Sequence, residues 1–177
     1  MANGPDVGTL APEFTLPGTS PSTGDQEFTL STARGRPLVL AFYPGDETPV
    51  CTRQLCSYQS DLEVLTGLHA QLWGISSQGL DSHRKFAEHR GLSFPLLSDT
   101  DNQVFKAYGL GSLLNRRAVF VIDAAGTIVW RHVSTTGLTY QKTDQIAVVL
   151  RGLPQPEAYP QAKPAAKART RRTTRST

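Results

Sequence analysis

The stretch from Pro37 to Cys51 narrows the choice of fold more than any other part of this 177-residue chain. Pro37-Leu38-Val39-Leu40-Ala41-Phe42-Tyr43 is a short unbroken apolar run. A strand with one wet face would alternate, so this one is covered on both faces. Pro44-Gly45-Asp46-Glu47 supplies a turn, and Thr48-Pro49 a helix start. Thr is favoured at the N-cap, and Pro at the first helical position, where its missing N–H would be unpaired anyway. Beyond it Cys51, Leu55, Tyr58, Leu62 and Leu65 recur at spacings of four and three, giving a helix with one apolar stripe.

Strands and helices keep alternating after that. Gln71-Leu72-Trp73-Gly74-Ile75-Ser76 reads as a second central strand, and Asp81 to Arg90 as a polar helix ending at Gly91. Phe94-Pro95-Leu96-Leu97 reads as a short strand and Asn102 to Tyr108 as a short helix. Ala118 to Ile122 and Thr127 to Trp130 flank the turn Asp123-Ala124-Ala125-Gly126, which predicts a hairpin. Thr143 to Leu153 closes the series as an amphipathic helix. Around Phe14-Thr15-Leu16 and Phe28-Thr29-Leu30 an N-terminal β-hairpin is expected. The order predicts an α/β domain: a central mixed sheet flanked by helices, with an antiparallel edge.

The chain has about the size of one domain, and 38% hydrophobic and 19% charged residues suit a soluble globular protein rather than a disordered one. No apolar run approaches the roughly 20 residues that span a bilayer, and the N-terminus lacks a basic segment followed by an apolar one. Both point to a cytoplasmic protein without membrane contact. The net charge of +3 is unevenly placed: residues 154–177 carry +5, leaving about −2 on residues 1–153. The domain is therefore expected to cover 1–153, with 154–177 a disordered basic Pro/Ala/Lys/Arg-rich tail. The tail's dispersed Lys and Arg could make weak, sequence-independent contacts with nucleic acid, or serve only as a solubilising extension.

Chemistry concentrates at Cys51, just past a buried strand and in the first turn of the next helix. Unpaired backbone N–H groups and the positive end of the helix dipole favour an anion there, so the sulfur is expected as thiolate, its nucleophilic form. Thr48, three residues earlier, can bring its hydroxyl beside that sulfur, and Pro44 stiffens the turn. On these residues alone a buried structural cysteine remains an equal alternative, since free Cys is often buried. The two cysteines are too few for a secreted disulfide framework and lack the further ligands of a structural zinc site.

The segment from Tyr43 to Cys56, with Pro44-x-x-x-Thr48-x-x-Cys51, resembles the active-site segment of peroxiredoxins. It is closest to the subgroup called peroxiredoxin Q or bacterioferritin comigratory protein. The similarity runs from about Gly8 to Leu153 and includes Trp73 to Ser76, Phe94 to Asp99 and Arg117 to Asp123. It implies a thioredoxin-like fold and a peroxidase needing no metal or organic cofactor, with hydrogen peroxide and organic hydroperoxides as substrates. By the same resemblance Cys51 matches the peroxidatic cysteine, Thr48 the hydroxyl that orients thiolate and peroxide, and Pro44 the shielding proline. Arg117 matches the arginine over the thiolate, where a guanidinium would stabilise the anion; its neighbour Arg116 reads as a surface charge. Cys56 matches the resolving cysteine, thioredoxin or a similar dithiol the reductant, and a monomer the usual assembly.

On an intact helix, five residues turn about 500° and rise about 7.5 Å, leaving Cys51 and Cys56 about 140° apart. A disulfide needs Cα atoms within about 6.8 Å. Pairing therefore requires the first helical turns to unwind. The chain also departs from the family: Val50 replaces a frequent Gly, Gln59 stands where Arg is common, and the stretch from Tyr108 to Arg116 is short. A general thiol–disulfide oxidoreductase would call for Cys-x-x-Cys, whereas four residues intervene here. His69, His83, His89 and His132 read as surface groups, and Asp99, Asp101 and Asp123 as turn formers.

Overall fold

The computed structural model describes residues 4–111, 115–136 and 138–154. Seven strands, β1 (Thr15–Ser20), β2 (Gly24–Thr29), β3 (Leu38–Phe42), β4 (Gln71–Ser76), β5 (Leu96–Ser98), β6 (Ala118–Ile122) and β7 (Ile128–Val133), form one sheet. Their order is β2-β1-β5-β4-β3-β6-β7. The helices are α1 (Pro49–Ser60), α2 (Leu62–Gly67), α3 (Leu80–Arg90), α4 (Gln103–Ala107) and α5 (Thr143–Arg151).

The apolar run is the centre of this sheet. β3 pairs in parallel with β4 on one side and antiparallel with β6 on the other. Its side chains alternate between two buried layers. Leu38, Leu40 and Phe42 enter a core with Trp73, Phe105, Tyr108 and Phe120, while Val39, Ala41 and Tyr43 enter one with Leu55, Phe86 and Ile146. Every residue of β3 is at most 1% exposed. Cys51 belongs to the second layer.

Both predicted hairpins form: β1 pairs antiparallel with β2, and β6 with β7. Gly91 ends α3 in the left-handed conformation (φ 65°) that a glycine C-cap adopts at low cost. Several boundaries differ from expectation: β7 runs on to Val133 instead of ending at Trp130, and α4 is Gln103–Ala107, one residue shorter at each end. The stripe from Cys51 to Leu65 is not one helix: the backbone opens at Asp61 (ψ 12°), and α2 restarts with Val64 N–H donating to Asp61 O. β5 begins at Leu96 rather than Phe94, because Pro95 has no N–H for the ladder and offers only its carbonyl, to Gly74 N–H. α5 stops at Arg151 rather than Leu153.

Among the described residues no helix is long and apolar enough to cross a membrane. The expected disordered tail lies, beyond Pro154, outside the described residues, as do positions 112–114 of the short stretch before Arg116.

Candidate active site

Thr48 is the N-cap of α1 and Pro49 its first residue, as the two sequence signals indicated. The Thr48 hydroxyl, however, turns back to donate to Gly45 O (3.2 Å) instead of capping the helix. Cys51 therefore sits in the first turn, and it is fully buried. Pro44 and Thr48 are exposed at the rim of the β3–α1 loop.

Sheet register explains how Arg117 arrives from 66 positions away. Phe42, the last residue of β3, pairs with Ala118, the first of β6. Residue 117 thus stands beside the end of β3 from which the chain turns into α1. Arg117 is 2% exposed, and one guanidinium nitrogen donates to Cys51 Sγ at 3.3 Å. The other donates to Gln54 Oε1. Arg116, by contrast, is exposed, as expected. A buried fixed cation beside the sulfur, added to the helix N-terminus, favours negative charge that develops next to it.

Gln54 was missed by sequence reading, although it sits three residues after Cys51 and four before Tyr58, on the stripe that faces inward. It is fully buried, and its Nε2 donates to Tyr58 Oη (3.3 Å), which donates to Gln141 O (2.7 Å). Burial pushes the Tyr58 phenol well above its ordinary range, which keeps it a donor. Cys56 lies on the same helix, half-buried against the second core layer, and both thiols are free. Gln59 carries no charge toward the site; its Oε1 accepts from Ser93 N–H (2.7 Å) and Oγ (3.1 Å), tying α1 to the segment before β5.

His83 corrects the reading of all four histidines as surface groups. It is fully buried on α3, on the inward face it shares with Phe86 and Ala87 at spacings of three and four. Its Nδ1 lies 2.8 Å from Asp46 Oδ2 and its Nε2 3.1 Å from Leu97 O. Sequence could not show this, because Asp46 is 37 positions away and reads as an ordinary turn residue. His89, though exposed, also has a carboxylate partner, Glu47, at 2.9 Å. Asp99 keeps its turn role, accepting from the N–H groups of Val104 and Phe105 that open α4.

Burial opposes ionisation of Asp46, but hydrogen bonds from His83, Ser82 and Tyr43 and the attraction of His83 outweigh it and hold the carboxyl below its usual range. Glu47, bonded by Arg90 and His89, shifts the same way. A depressed carboxyl adds stability above the ordinary carboxylate range and loses it as pH falls through the folded-state value. Stability is therefore expected to drop on acidification below about pH 4. Asp99, whose carboxyl burial raises, offsets part of that drop. Denaturant unfolding between pH 3 and 7 checks this: the acid limb should be shallower in Asp46→Asn than in wild type.

Comparison with known proteins adds a family to this geometry. Residues 7–131 match the AhpC/TSA family. A protein of Triticum aestivum named "Peroxiredoxin Q, chloroplastic" is 38% identical over 125 residues, 68% of this chain and 56% of the wheat protein. The chain thus spans little more than half the length of that relative. A Coxiella burnetii protein whose name carries "peroxiredoxin bcp" is 34% identical over 143 residues, 75% of this chain and 92% of its own. Among solved structures, "Peroxidoxin BcpB" of Mycobacterium tuberculosis superposes with a TM-score of 0.73 at 29% identity. That match covers 84% of this chain and 98% of the other.

Proposed function

The chain belongs to the AhpC/TSA family, and on that premise we propose that it is a thiol-dependent peroxidase working through Cys51. The observation that carries this is the buried Arg117 guanidinium 3.3 Å from a cysteine sulfur in the first turn of a helix.

In the proposed cycle the Cys51 thiolate attacks one oxygen of hydrogen peroxide or an organic hydroperoxide. The O–O bond breaks, the sulfur keeps one oxygen as sulfenic acid, and the other oxygen leaves, protonated, as water or alcohol. Arg117 stabilises the thiolate and the leaving oxyanion. Thr48 and Pro44, at the rim of the loop, orient the peroxide and limit water. Cys56 then attacks the Cys51 sulfur, releasing water and forming a disulfide. Thioredoxin or a similar dithiol reduces it and leaves both thiols free. Both cysteines stand on one helix of one chain, so the cycle needs no second subunit and is proposed for a monomer in a reducing compartment such as the cytoplasm.

The test is to mix reduced protein with one equivalent of hydrogen peroxide and follow free thiols. Rapid loss of both, together with a trappable sulfenic acid in Cys56→Ser, is expected; slow loss of the kind seen for free cysteine would refute the proposal. Because α1 runs unbroken through both cysteines, oxidation is also expected to melt its first turns. Amide exchange within residues 49–56 should be faster in the oxidised protein, and equal protection in both forms would exclude the Cys51–Cys56 bond.

A further inference from the structure

Beneath the β3–α1 loop lies a polar cluster that the peroxidase chemistry does not use. The Asp46 carboxylate, almost wholly buried, accepts from Tyr43 Oη at 2.8 Å, Ser82 Oγ at 2.6 Å and His83 Nδ1 at 2.8 Å. Its backbone N–H donates to the side-chain oxygen of Gln78. Tyr43 precedes the loop, while Gln78, Ser82 and His83 come from the start of α3 and the turn before it. Space for the Tyr43 ring exists because residue 74 is glycine: a Cβ there would lie 3.3 Å from the ring and 2.8 Å from Leu96.

The His83 ring is held at both nitrogens, one against Asp46 Oδ2 and the other against Leu97 O. A buried polar pair of this kind is an inefficient source of stability, because desolvation of both groups cancels much of their attraction. What such a pair does supply is direction. Two carboxylate oxygens receiving three donors, plus a fourth bond at the backbone, hold Asp46 in one orientation, and Asp46 is the middle residue of the loop from Pro44 to Thr48.

We infer that Asp46 and His83 are positioning residues that fix the β3–α1 loop, and through it Pro44 and Thr48, in the shape that aligns a peroxide with Cys51. This inference rests on the peroxidase reading. It separates two properties of the site: stabilisation of negative charge at the sulfur falls to Arg117 and the helix terminus, whereas alignment of the peroxide falls to the loop. Disturbing the Asp46–His83 pair should damage the second and spare the first.

The experiment uses the full chain carrying Cys56→Ser, so that oxidation stops at the sulfenic acid. Two reactions of Cys51 are timed: oxidation by hydrogen peroxide, and alkylation by iodoacetamide, which needs the thiolate but no aligned peroxide. Asp46→Ala and His83→Phe are expected to slow oxidation by about 10- to 100-fold, the scale of a misplacement near 1 Å. Alkylation should stay unchanged or rise as the loop loosens. Asp46→Asn should retain most of the oxidation rate, since a side-chain amide of the same shape keeps one polar atom against His83 and an oxygen that can still accept from Tyr43. Should Asp46→Ala fail to fold, Ser82→Ala, which removes one donor, is expected to slow oxidation by a smaller factor with alkylation intact. Parallel slowing of both reactions, or no change in either, would overturn the positioning role while leaving a fast wild type as support for the peroxidase. A wild type no faster than free cysteine would remove both.

Discussion

Cys51→Ser protein is expected to consume hydrogen peroxide no faster than buffer does, a loss of at least about 10⁴-fold, as when the nucleophile of an enzyme is removed. Serine is nearly isosteric, so the site would survive, but its oxygen cannot store the oxidising equivalent as a sulfenic acid does, and at neutral pH it is not an anion. Because Cys51 is fully buried in the apolar layer under β3, the substitution also places a hydroxyl there; Arg117 stands close enough to donate a hydrogen bond to its oxygen. The stability change should accordingly be modest, on the order of 1 kcal/mol. Peroxide consumption measured beside a denaturant midpoint separates the two effects. Residual turnover in Cys51→Ser would transfer the chemistry to Cys56, the only other thiol.

The second large effect is expected at Arg117. Arg117→Met should slow oxidation of Cys51 by about 10²- to 10³-fold, the cost of losing one donor aimed at developing charge. Alkylation should slow as well, since the thiolate loses its nearest cation. That shared loss is opposite to the pattern expected for Asp46→Ala, so two simple rates assign each residue its part. The substitution also leaves Gln54 Oε1 without the guanidinium, and an unpaired buried acceptor costs about 1–3 kcal/mol. Loss of a buried charge works the other way. Arg117→Lys keeps one charge but cannot reach the sulfur and Gln54 together as a planar fork does. It should recover part of the rate, and a lysine variant as slow as methionine would show that bidentate geometry matters more than charge.

Much of the fold was legible in the chain, for local reasons. An apolar run short enough for one strand, a Thr-Pro helix start and period-two or period-four patterns each depend on a few neighbouring residues, and β3, β4, β6, α1 and α3 appeared where those patterns lie. Boundaries slipped where a single residue overrode the pattern, as Pro95 did by having no N–H for the β5 ladder. The candidate site was half legible. Cys51, Thr48 and Pro44 fall within eight residues and announce a strand-to-helix junction, and the family resemblance pointed to Arg117 and Cys56.

Sequence patterns accounted for which elements exist and where the candidate sulfur lies, because backbone preference and side-chain periodicity act over one or two turns of chain. They could not show that the Thr48 hydroxyl turns to Gly45, that Gln54 joins Arg117 to Tyr58, or that His83 lies buried on Asp46. The contacts of Arg117 with Gln54 and of His83 with Asp46 cross 63 and 37 positions and depend on sheet order and register. Those of Thr48 and Tyr58 are local choices of side-chain direction. Burial then converts ordinary polar residues into directed partners, because a group removed from water must find its hydrogen bonds within the fold.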